Sequence, residues 1–107
     1  MTETRIYIGL NDSVTKKQIF ETVTYIKILK NVCFAYRIPF SFSVDEGGYI
    51  HDNGEYTKET TLVLILIGAA NETVNEIARD LCAFFNQESV LITETEVRSY
   101  YVRESIK

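Results

Sequence analysis

The stretch Thr60-Thr61-Leu62-Val63-Leu64-Ile65-Leu66-Ile67 sets six consecutive aliphatic residues behind two threonines. Eight residues are too few for a buried helix. The β-branched content predicts a strand that is apolar on both faces and central in its sheet. Just before it, Asp52-Asn53-Gly54 is a tight-turn signal, because Asn-Gly accepts positive φ. Tyr49-Ile50-His51 on one side and Glu55-Tyr56-Thr57 on the other make that turn the tip of a hairpin. The partner strand begins at Phe40, where Phe40 and Phe42 alternate with serines, and Gly47-Gly48 suggests a bulge or kink within it. Beyond Ile67, Thr73 and Glu76 fit a capping box ahead of a helix. Val74, Ile77, Ala78, Leu81, Phe84 and Phe85 share one arc of that helix, and Asn86 suits its end. A last strand is expected from about Glu88 to Val97, extending irregularly toward Val102.

At the other end of the chain, Ile6, Ile8 and Leu10 alternate with Arg5, Tyr7 and Gly9, the period of a strand. Asn11-Asp12-Ser13 breaks the pattern. Thr15 and Gln18 fit a second capping box, predicting a helix from about Lys16 to between Asn31 and Tyr36. Ile38-Pro39 must stop it. This helix has two opposed apolar stripes, Ile19/Val23/Ile26/Cys33 and Tyr25/Ile28/Leu29/Val32, so one of them needs a second neighbour.

The order is βαββαβ. The expected architecture is an α+β ferredoxin-like sandwich, a four-stranded antiparallel sheet with two helices on one face. With 107 residues, a single domain over 1–107 is expected, with 99–107 as a loosely ordered tail. The other sheet face would carry Tyr7, Val63 and Ile65, a greasy surface that calls for cover. A homodimer packed through the sheets supplies it, or the chain's own hairpin or tail does.

Fifteen acidic against eleven basic residues give a net charge of −4, which disfavours direct nucleic-acid binding. The acidity is local. Asp45, Glu46, Asp52, Glu55 and Glu59 against Lys58 give the segment 45–60 a net charge of −4 by itself, whereas Lys16, Lys17, Lys27 and Lys30 enrich the first helical region in base. The run from Leu62 to Ala70 is about half a membrane span, and the start, Met1-Thr2-Glu3-Thr4-Arg5, lacks a secretory profile. A cytoplasmic protein without membrane attachment is expected.

Candidate chemistry is sparse. His51 is the only histidine; beside Asp52 it could be an oriented base, but nothing near it supplies a nucleophile. Cys33 and Cys82 lie on apolar stripes and read as buried structural thiols; a disulfide between the helices is possible but finds no support in the expected compartment. Glu94 and Glu96 share one strand face and could share a proton or cation, as surface acids often do by accident. No phosphate-binding loop, cofactor site or metal site is expected. Ile6-Tyr7-Ile8-Gly9-Leu10-Asn11 looks like the shorter RNP motif of RNA-recognition domains, which would make Tyr7 a base-stacking residue. The run from Thr60 to Ile67 lacks the companion motif.

Four segments together resemble a small bacterial domain family of unknown function. They are Arg5-Ile6-Tyr7-Ile8-Gly9-Leu10, Gly48-Tyr49-Ile50-His51-Asp52-Asn53-Gly54, Leu62 to Ile67, and Asn86-Gln87-Glu88-Ser89-Val90-Leu91. Tyr49 stands where that family tends to have tryptophan, and its usual proline before the third strand is missing. In size and acidity the chain is also similar to small plasmid and phage proteins, some of them anti-CRISPR inhibitors of Cas9. That likeness implies a non-enzymatic protein-binding module. It would occlude a basic surface of a Cas9-type nucleoprotein through Asp45, Glu46, Tyr49, Asp52, Glu55, Tyr56 and Glu59. Two alternatives stand beside it. One is a homodimeric small-ligand binder or enzyme with a pocket between helices and sheet lined by Tyr7, Tyr36 and His51. The other is an RNA-binding domain.

Overall fold

In a computed structural model of the chain, which describes residues 1–105, the elements run β1 (Thr2–Gly9), α1 (Thr22–Tyr36), β2 (Ser41–Ile50), β3 (Tyr56–Ile67), α2 (Asn71–Phe84) and β4 (Leu91–Glu96). The sheet order is β2-β3-β1-β4, with antiparallel pairing throughout. The expected ferredoxin-like α+β arrangement is therefore the observed one, with the doubly apolar strand β3 in the interior. Leu62, Leu64 and Leu66 point into the core with Ile6, Ile8 and Leu10, and meet Leu29, Cys33, Ile77 and Leu81 from the helices. No helix among the described residues is long and apolar enough to cross a membrane.

The first helix starts six residues later than its sequence suggests. Asp12 takes the role expected of Thr15, its Oδ2 accepting the amides of Val14 (2.8 Å) and Thr15 (2.9 Å). This side-chain turn competes with helix nucleation and wins. Gln18 then reaches forward to the Phe20 carbonyl (2.9 Å) and Thr22 Oγ1 (3.1 Å) instead of back to a helix start. The buried stripe of α1 is Tyr25, Leu29, Val32 and Cys33, drawn from both expected stripes, while Ile19 and Val23 stay exposed. The helix ends at Arg37, which adopts a left-handed φ of 54° just before Ile38-Pro39. Thr73 and Glu76 form no capping box either, because α2 begins at Asn71 with Ala70 as its N-cap. The end of α2 matches expectation, with Asn86 left-handed at φ 50°.

Hairpin β2–β3 projects past the end of β1, whose last paired residue, Gly9, lies opposite Thr61. The Cα radius of gyration is 16.0 Å, against about 13 Å for a compact chain of this length. Gly47 and Gly48 make no bulge: the ladder runs unbroken through Gly47↔Glu59 and Gly48↔Lys58. Gly48 instead leaves room for the Tyr56 ring, which a Cβ there would strike.

The open face of the sheet is less greasy than expected. Tyr7 lies between Val63 and Leu91 in register, so no second aromatic adjoins it as a stacking platform. Val63 is only 1% exposed and offers no contact area, and Ile65 is half-buried beside Arg5 and Ser41. Arg5 Nε pairs with Glu3 Oε2 at 3.1 Å on the same face. Beyond β4 the chain to residue 105 has no regular secondary structure, and the last two residues of the expected tail lie outside the described residues.

Candidate functional site

The foot of the projecting hairpin, where β1 ends, gathers three polar segments. Gly9 is the reason they can meet. A Cβ at Gly9 would collide with the carboxyl group of Glu59, so the glycine lets Glu59 lie flat across the end of β1. There Glu59 Oε2 accepts the backbone N–H of Asn11 at 2.9 Å. The Leu10 amide donates to the Thr60 carbonyl at 3.0 Å and fixes the same corner. The carboxylate is half-buried and held by the Asn11 amide; among the described residues it makes no ion pair.

The loop after β1 forms the second wall. It is tied to the end of α2: Asn86 Nδ2 donates to Asp12 Oδ1 at 2.6 Å, and the Ser13 amide donates to the Asn86 carbonyl at 3.0 Å. Gln87 Nε2 donates to the Asn11 carbonyl at 2.6 Å. The Asn86 amide first, then the Thr15 and Val14 amides, hold the Asp12 carboxyl below the ordinary carboxylate range. The third wall is Gln87, Glu88 and Ser89, on the way to β4. With Tyr49 from β2, these segments enclose an open-sided cavity of about 210 Å³. The Tyr49 ring is braced edge-on by His51, centroids 4.7 Å apart.

The acidic residues singled out in the sequence are dispersed. Of the seven arm residues, five acids and two tyrosines, only Tyr49 and Glu59 line this cavity. Glu46 pairs with Lys58 Nζ at 2.8 Å, and Asp45, Asp52 and Glu55 stand exposed along the arm or its tip. Tyr56 lies across Gly48. His51 Nε2 bonds to Thr57 Oγ1 at 2.7 Å, not to Asp52. The pocket expected from Tyr7, Tyr36 and His51 does not exist. Tyr7 is on the open face, and Tyr36 bonds to Asp80 Oδ2 (2.8 Å) on the helical side. His51 is near the hairpin tip. Both cysteines are free, so the helices are not linked; burial pushes the Cys33 thiol up to about 11.

Sequence reading missed the walls supplied by Asn11, Asp12, Ser13, Lys16, Gln87, Glu88 and Ser89. The available signal was two clusters of hydrogen-bonding residues, directly after the first strand and directly after the second helix. The βαββαβ topology, with β4 antiparallel to β1, brings those two segments to the same end of the strands.

Comparison with protein-family models finds no match, and comparison with curated proteins finds no relative, so the likeness to a bacterial domain family gains no support. Solved structures do match. A phage SAM lyase in complex with S-methyl-5'-thioadenosine is 26% identical over 89% of this chain and 80% of its own, with a TM-score of 0.67. A phage SAM lyase in the apo state is 25% identical over 88% and 78%, with a TM-score of 0.68. These matches keep the likeness to small phage proteins but give none to an anti-CRISPR protein. They overturn the expectation of a non-enzymatic inhibitor acting through its acidic hairpin, because the matching proteins are enzymes that handle a small nucleoside-bearing molecule.

Proposed function

We propose that this chain is a lyase that cleaves S-adenosylmethionine at its sulfonium and releases S-methyl-5'-thioadenosine. One observation carries the reading: the likeness to an enzyme of that activity extends over 89% of the chain at 26% identity. The residues present suit the substrate. A sulfonium is a compact cation, and Glu59 offers it a fixed carboxylate beside the Tyr49 ring, the combination that recognises onium groups elsewhere.

The bond that breaks follows from the product. S-methyl-5'-thioadenosine keeps the methyl group, the sulfur and the adenosyl group, so cleavage falls between sulfur and Cγ of the amino-acid arm. The sulfur retains the electron pair and turns from a cation into a neutral thioether. The four-carbon arm leaves as a lactone if its own carboxylate attacks Cγ, which moves no proton. It leaves as an unsaturated amino acid if a base removes the Cβ proton. The site contributes by holding the arm near its reactive geometry and by limiting water. Attraction to Glu59 is lost once the sulfur is neutral, which favours product release.

Self-association belongs to the same proposal. A cavity of about 210 Å³ is smaller than the ~300 Å³ at which ligand sites begin, and it is open on one side. A second copy laid against the projecting arm, where Ile50 is 73% exposed, would complete its walls. A cytoplasmic setting, where this substrate would be met, is part of the proposal too.

The test is incubation with S-adenosylmethionine followed by chromatography and mass spectrometry of both product halves. Conversion to S-methyl-5'-thioadenosine by the wild type, greatly reduced in Glu59→Gln, supports the reading. A folded wild-type protein that leaves the substrate intact refutes it.

A further inference from the structure

We infer that Lys16 binds the carboxylate of the substrate's amino-acid arm and so selects substrates that carry one; this rests on the activity proposed above. Two independent features of Lys16 point there. The first is its backbone. Lys16 has φ 62°, the left-handed region that non-glycine residues seldom occupy and that concentrates at functional sites. Glycine or asparagine would suit that position without strain. The conformation is imposed by the Asp12 turn, whose carbonyl accepts the Lys16 amide at 2.8 Å. It brings the side chain back along the loop, where Nζ donates to the Ser13 carbonyl at 2.5 Å on the cavity wall. Among the described residues the ammonium makes no ion pair with a carboxylate.

The second feature is charge. Among the described residues, the charged groups lining the cavity are three carboxylates, Asp12, Glu59 and Glu88, and one ammonium, Lys16. Asp12 is committed to Asn86, Val14 and Thr15. Two carboxylates and one ammonium therefore face the ligand. An S-adenosyl amino acid presents the complement: a sulfonium, an α-ammonium and one α-carboxylate. Among the described residues that line the cavity, Lys16 is the cation able to meet that carboxylate, and its exposed side chain is drawn back to the rim by the Ser13 carbonyl.

The experiment compares two probes by calorimetry on wild type, Lys16→Met and Lys16→Gly. S-adenosylhomocysteine carries the amino-acid arm; S-methyl-5'-thioadenosine lacks it. Both variants are expected to lose at least tenfold in affinity for S-adenosylhomocysteine while holding S-methyl-5'-thioadenosine within twofold. Lys16→Gly relieves the left-handed strain, so its melting temperature is expected to be no lower than that of the wild type, which separates lost binding from lost folding. Unchanged S-adenosylhomocysteine affinity in both variants, with S-methyl-5'-thioadenosine still bound, overturns the role of Lys16 and leaves the lyase reading standing. Equal loss of both probes also overturns it. A wild type that binds neither probe overturns the lyase reading and this inference together.

Discussion

Replacing Gly9 with alanine is the sharpest probe of how the cavity is built, because the change adds one methyl group at the point where Glu59 rests. Strand backbone accepts alanine readily, and the substitution recovers roughly 0.5–1 kcal/mol of chain entropy. Against that, the methyl must push the Glu59 carboxyl aside, an overpacking cost of about 1–3 kcal/mol. It also breaks the Asn11 N–H to Glu59 bond, and a hydrogen bond to a charged group is worth about 1.5–3 kcal/mol. These terms combine to about 1.5–5.5 kcal/mol, which falls to about 1–4 kcal/mol because the half-buried carboxylate can swing toward water. The functional loss should be larger. A unit charge about 4 Å from a sulfonium at an effective dielectric near 20 contributes about 4 kcal/mol, roughly a thousandfold; partial exposure reduces that to about a hundredfold in kcat/KM. Urea denaturation gives the first quantity and steady-state cleavage of S-adenosylmethionine the second. The double variant Gly9→Ala/Glu59→Ala separates the two effects, since removing the carboxyl removes the clash: the overpacking part of the stability loss should return, while the part due to the Asn11 hydrogen bond and the activity should not. Wild-type activity in Gly9→Ala would mean that Glu59 is not held across Gly9 for any purpose, and the account of the site would fail.

Four further outcomes follow from the same structure. Asp12→Ala unties the loop after β1 from Asn86, and a misplacement of about 1 Å should lower kcat/KM by roughly 10–100-fold with the helices intact by circular dichroism. The Asp12 carboxyl is depressed in the folded protein, so its contribution to stability is complete above the ordinary carboxylate value. It disappears as pH falls through the lower folded value; the melting temperature of the wild type should therefore drop more steeply than that of Asp12→Ala below about pH 4. Cys33, fully buried with its thiol near 11, should resist a thiol reagent at pH 8 until the protein unfolds, while half-buried Cys82 reacts in the native state; equal rates would contradict the packing. Leu64→Ala, at a side chain with no exposed area on an interior strand, should cost about 2–5 kcal/mol in chemical denaturation.

What was legible in the sequence was the part governed by hydrophobic period. The doubly apolar run to Ile67 could sit only inside a covered sheet, and the single arc from Val74 to Phe85 could only pack on it, so topology and strand order followed. The start of the first helix was not legible, because Asp12 and Thr15 offer two competing ways to satisfy the same amides and only tertiary contact with Asn86 decides between them. The glycines at 47 and 48 were misread for a related reason: a glycine in a strand can mark a bulge or make room for a neighbour, and the neighbour here, Tyr56, is eight residues from Gly48. The site was the least visible. Glu59 and Tyr49 looked like members of an acidic arm, since the glycine that seats the carboxylate is fifty residues away and the remaining walls come from two loops that were read only as a strand end and as part of a family resemblance.

Where S-methyl-5'-thioadenosine binds is the most direct test of the proposed site. Titration of isotopically labelled protein with S-methyl-5'-thioadenosine, read by amide chemical-shift changes, addresses this directly. Shifts are expected to cluster on Gly9 to Lys16, Tyr49, Glu59 and Gln87 to Ser89. Shifts confined instead to the groove between α1 and α2, around Ile28, Tyr36 and Phe84, or no shifts at saturating concentration, would contradict it.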